Sequence, residues 1–104
     1  MPTAKPKIKV LHRTEGPSIW EWVFSYNDHK FRAYVEHTNG APLGFNYKCS
    51  LAIMTPSGTW SHIVDNRELG FEWDNLYWSH DKQEKARVAQ DAYERFVKYV
   101  KAVY

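Results

Sequence analysis

The sequence predicts an α+β domain: an antiparallel β-meander of about five strands, packed on one face by a single long C-terminal α-helix. Two patterns predict it. Across residues 19–64 apolar and polar side chains alternate with period two, as they do on half-buried strands. From Asp81 to about Ala102 the apolar residues Val88, Ala89, Ala92, Tyr93, Phe96 and Val100, with Val103 just beyond, recur at three- and four-residue steps. That spacing is the stripe of an amphipathic helix. The strand connections are too short for parallel crossovers, so the sheet is expected to be antiparallel throughout.

Residues 1–6, with Pro2 and Pro6, read as a flexible N-terminal tail, and residues 7–104 as one domain. Residues 7–13 predict an edge strand with Ile8 and Val10 facing in and lysines on the other side. A turn over Thr14-Glu15-Gly16-Pro17 leads to the strongest strand, 18–26. Here Trp20, Trp22, Phe24 and Tyr26 line one face, and Ile19, Glu21, Val23 and Ser25 the other. Apolar residues on both faces place it centrally. Asn27-Asp28-His29-Lys30 closes a hairpin into 31–37, and Asn39-Gly40 is a strong signal for a second hairpin.

The fourth strand is expected at 45–54 and the fifth at 59–64. The turn Thr55-Pro56-Ser57-Gly58 between them has proline second and glycine fourth, which suits type I. Residues 71–78 fit either a short sixth strand or an irregular segment pinned by aromatics. The helix, about 82–102, opens with a capping box of Asp81 and Glu84. Asp91/Arg95 and Glu94/Lys98 form i,i+4 pairs on its outer side, and Lys98 and Lys101 suit its C-terminal dipole. A helix of ~21 residues is ~31 Å long, against a five-stranded sheet ~24 Å wide. It can cross one face. It cannot cover two.

Composition narrows the function classes. The chain has 104 residues with five Trp, seven Tyr and five Phe, and a chain of this size buries roughly two-thirds of its unfolded surface. The aromatic content fits a core that needs neither disulfide nor metal. Cys49, the one cysteine, falls in an apolar run and reads as a small buried hydrophobe suited to a reducing compartment. No run approaches the ~18 apolar residues of a membrane span, and the polar start is unlike a signal peptide. The expectation is a soluble, cytoplasmic protein with no membrane association.

The net charge of +2 is unevenly spread. Residues 1–13 carry four bases and no acid, 14–81 four bases against nine acids, and 82–104 six bases against three acids. An acidic sheet argues against a strong duplex-DNA binder, which concentrates positive charge on its binding element.

Three regions are candidates for function. The first is the acidic aromatic segment holding Glu72, Trp73, Asp74, Tyr77, Trp78 and His80. Rings beside carboxylates can anchor a basic peptide or cage a methylated ammonium, although such rings also simply plug a corner of the core. The second is the sheet face left bare by the helix, with Glu21, Val23, Arg32, Tyr34, Glu36, Lys48, Ser50 and Met54. On it Lys7, Lys9, Arg32, Tyr34 and Lys48 would serve single-stranded nucleic acid, which favours bases interleaved with an aromatic ring. A solvated face laced with Arg/Glu and Lys/Glu pairs is the structural alternative. Val23, Tyr34 and Met54 would equally suit sheet-to-sheet dimerisation.

The third is a pocket between sheet and helix built from Trp60, His62, Trp73 and Tyr77. None of His12, His29, His37, His62 and His80 sits at a metal-ligand spacing, though His37 and His62 could meet with Asp65. No nucleophile elbow, phosphate loop or dinucleotide turn is present. The leading expectation is therefore a small, non-enzymatic binding protein, without cofactor or metal, that docks on a partner macromolecule or on a second copy as a homodimer. Single-stranded nucleic-acid binding is the alternative, and a small-molecule site or enzyme the third reading.

Overall fold

The computed structural model describes residues 7–16, 18–37, 47–65, 68 and 82–104. Several expectations lie outside the described residues: the tail, the Asn39-Gly40 hairpin, residues 45–46, the capping box of Asp81 and Glu84, and the whole of 71–80. Within them the architecture is α+β, as the alternation and the helical stripe predict. Strands β1 (Lys9–Glu15), β2 (Ile19–Tyr26), β3 (His29–His37), β4 (Tyr47–Met54) and β5 (Trp60–Asp65) precede the helix α1 (Lys82–Val103). The sheet runs β1-β2-β3-β4-β5 in spatial order, every pair antiparallel. The sheet is thus a meander with β3 at its centre. The described helix is not long and apolar enough to cross a membrane.

Turn chemistry sets the strand ends and moves several of them. The chain reverses between β2 and β3 over Asn27 and Asp28 alone, both at positive φ (51° and 67°). Asn and Asp tolerate that conformation, so a two-residue turn suffices, and β3 starts at His29 instead of residue 31. At the first hairpin the Gly16 N–H donates to the Ile19 carbonyl at 2.7 Å. A Cβ on Gly16 would meet that same oxygen at 3.2 Å. The reversal is therefore tighter than expected, and Thr14 and Glu15 extend β1 by pairing with Glu21 and Trp20. Thr55 accepts the Gly58 N–H at 2.9 Å, with Gly58 at φ 85°, so the Thr55-Pro56-Ser57-Gly58 turn forms as its sequence dictates.

One face of the sheet is core. Trp20, Trp22 and Phe24 of β2, Phe31, Ala33 and Val35 of β3, Tyr47, Cys49 and Leu51 of β4, and Val64 of β5 are all buried. Val88, Ala89, Ala92, Phe96 and Val100 of α1 are buried with them. The two alanines let the helix approach a bulky sheet face closely. Tyr93 stacks on Trp22 with ring centroids 4.7 Å apart and meets Phe24 edge-on at 5.7 Å. Lys85 extends the stripe one step toward the N-terminus and is 9% exposed; a lysine buries its aliphatic stem this way.

Two inward expectations fail at the margins of this layer. Val10 is 49% exposed and Val103 is 56% exposed. The helix lies closest to β2 and β3. A helix is about 10 Å wide, roughly two strand spacings, so β1 overhangs its edge. Val103 falls in the last turn of α1, where Tyr104 turns back onto the sheet instead. Its ring packs edge-on against Phe31 (5.1 Å) and His29 (5.6 Å), and its carbonyl accepts a hydrogen bond from Asn27 Nδ2 at 2.9 Å.

Candidate functional site: the uncovered face of the sheet

Strand pairing assigns the opposite face residue by residue. Crossing the sheet from β1 to β5, one row holds Thr14, Glu21, Tyr34, Ser50 and Asp65. The next holds His12, Val23, Arg32, Ala52 and His62. Ile19, Glu36 and Lys48 form a third row on one side, and Lys9 is opposite Ser25 on the other. Every residue expected on this face from the alternation is therefore on it. Ile19 is 42% exposed, and Val23 and Met54 are half-buried.

The polar groups at the centre of this face hold one another. Arg32 Nε donates to Glu21 Oε2 at 2.6 Å, a diagonal contact across the β2–β3 pair. The Arg32 guanidinium lies 5.1 Å from the Tyr34 ring centroid, within cation–π range. Tyr34 in turn donates its hydroxyl hydrogen to Glu36 Oε1 at 2.9 Å. Partial burial first, and then this bond to Glu36, raise the Tyr34 phenol above its ordinary pKa. The result is a linked chain, Glu21–Arg32–Tyr34–Glu36, with Glu21 bonded to Arg32, Glu36 to Tyr34, and Lys48 opposite Glu36.

Two bulges shape the rim. In β1 the register slips between Val10 and His12, leaving Leu11 as the extra residue, 45% exposed. In β5 it slips so that Ile63 is extra, and His62 and Trp60 sit opposite Ala52 and Met54. The bulge brings Trp60 and His62 onto the uncovered face, so neither residue lines a space between sheet and helix. A bulge inverts the facing of everything beyond it, and simple alternation gives no warning of one. His37 and His62 do not meet either. His37 is buried on the helix side, opposite Tyr47 and edge-on to its ring at 5.0 Å, whereas His62 is exposed. His62 instead approaches Glu68, Nε2 to Oε1 at 3.3 Å, and Asp65 Oδ1 accepts the Glu68 backbone N–H at 2.9 Å.

Of the residues expected to serve nucleic acid, Lys9, Arg32, Tyr34 and Lys48 share this face, and Lys7 is exposed just before β1. Arg32 and Tyr34 are engaged by Glu21 and Glu36. The aromatic segment with Glu72, Trp73, Asp74, Tyr77, Trp78 and His80 lies outside the described residues. Cys49 is buried in mid-sheet, a setting that disfavours the exposed thiolate a catalytic cysteine needs. Compared with protein-family models, with curated proteins and with solved structures, the chain matches none.

Proposed function

We propose that the chain is a small, non-enzymatic binding protein whose uncovered sheet face docks a protein surface, and that its occupant is a second copy of the chain. One observation supports this reading above the others. The face balances Arg32 and Lys48 with Glu21 and Glu36, and sets Val23 among them with Ile19, Met54 and Trp60 further out. A surface that mixes charges of both signs with apolar side chains has the mixed polarity of a non-obligate protein interface, and its charges can pair with those of a partner surface. It is a poor match to a uniformly anionic strand. Size fits as well. Five strands ~4.8 Å apart, each with ~3.3 Å rise per residue, give a face of roughly 600 Å², or about 1,200 Å² for two copies, the lower end of stable interfaces.

Sedimentation across a wide concentration range tests it. The wild-type chain should dimerise, and Val23→Glu and Ile19→Glu should each give monomers with unchanged circular dichroism. A wild-type chain that stays monomeric throughout, or variants that dimerise equally well, would overturn the proposal.

A further inference from the structure

We propose that His62, Asp65 and Glu68 form a divalent-metal site of the zinc type at the β5 edge of the sheet. The three side chains come from one short stretch at i, i+3 and i+6, where β5 ends and the chain turns. Each presents one ligand atom, and the three atoms lie within 4.8 Å of one another. The turn is held by the Asp65 carboxylate, which accepts the Glu68 N–H. Bonds of 2.0–2.1 Å at tetrahedral angles put ligand atoms about 3.3 Å apart. His62 Nε2 and Glu68 Oε1 already stand at 3.3 Å. Asp65 closes the set with a side-chain shift of at most about 1.5 Å toward that spacing.

Charge and donor type point the same way. Among the described residues neither Asp65 nor Glu68 is paired with a lysine or arginine; the side chain that approaches Glu68 is the His62 imidazole. A dication balances the two carboxylates and takes the neutral imidazole as ligand. The imidazole selects zinc, nickel or copper over calcium and magnesium, which prefer oxygen alone. All three side chains reach solvent or lie near it, with His62 and Glu68 exposed. The fourth position is therefore open to water or to an outside donor. His62 and Asp65 share the uncovered face with the proposed dimer contact, at its β5 edge, so metal binding is read on the Val23→Glu chain as well as on the wild type.

Cobalt(II) titration followed by visible absorption, with zinc displacing it, tests the assignment on the full chain. The wild type should bind one equivalent with a tetrahedral d–d spectrum. His62→Ala, Asp65→Asn and Glu68→Gln should each weaken binding at least about tenfold, the least that a lost supporting contact costs a metal site. These are surface changes, and circular dichroism of each variant reports its fold. Binding that survives His62→Ala unchanged, through the other histidines, would overturn the site. So would no stoichiometric binding, or calcium competing as well as zinc.

Discussion

Trp22 on the central hairpin and Tyr93 on the helix are stacked at 4.7 Å with planes only 18° apart, and this pair ties α1 to the sheet. Burial raises the Tyr93 phenol above its ordinary pKa, with Arg13 opposing the shift. An acid whose pKa is higher in the folded state binds its proton more tightly there. Its contribution is complete below the unfolded pKa and is lost as pH rises through the folded one. Urea unfolding should therefore show stability level from neutral pH to about pH 9 and falling as pH rises through about 10 and beyond, with a shallower fall in Tyr93→Phe. An identical decline in both proteins would refute a role for Tyr93.

The helix stripe is graded, and substitutions should follow the grade. Phe96 is fully buried and Val103 is more than half exposed. Phe96→Ala should cost about 3–5 kcal/mol through lost burial and a cavity. Val103→Ala should stay within about 0.5 kcal/mol. Denaturant unfolding of the two variants is the check, and equal losses would contradict the observed packing.

Gly58 adopts φ 85° with open space around the position where a Cβ would stand. The cost of Gly58→Ala is thus backbone strain without a clash, about 1–2 kcal/mol. Gly58→Asn should recover part of it, since Asn tolerates the left-handed region. Thermal melts of both variants decide this, and an unaffected alanine variant would remove the strain argument.

Arg32 and Glu21 are each partly exposed, so their bond is screened. A double-mutant cycle with Arg32→Gln and Glu21→Gln should return a coupling of about 0.5–1 kcal/mol. In an oligonucleotide titration even at low salt, the wild type should bind no better than Arg32→Gln, because Arg32 is already engaged. Salt-sensitive wild-type binding lost in that variant would instead favour a nucleic-acid role.

Much of the sheet was legible because its two faces differ so strongly in chemistry. Trp20, Trp22, Phe24, Phe31 and Val35 can be placed under the helix from alternation alone, and Glu21, Arg32 and Tyr34 on the bare face follow. What alternation cannot register is a change of phase or a margin. The Leu11 and Ile63 bulges are backbone insertions without a distinctive residue. The bulge in β5 decides that Trp60 and His62 share a face with Arg32. The exposure of Val10 depends on the width of a helix relative to five strands, a global property that no local pattern contains. The neighbourhood of His62, Asp65 and Glu68 escapes a search for His-rich spacings because two of its three members are acids on a strand end and the turn that follows.

The order of elements along the chain carries a consequence for synthesis. Each strand pairs with the one made just before it, so hairpins can close as the polypeptide emerges. The helix that covers Trp22, Phe24 and Phe31 is made after all five strands. At roughly 5–20 residues per second, a nascent chain holds its aromatic face bare for seconds until α1 arrives. Chains interrupted before Lys82 would leave the translation machinery with that surface open, as substrates for chaperones or for one another.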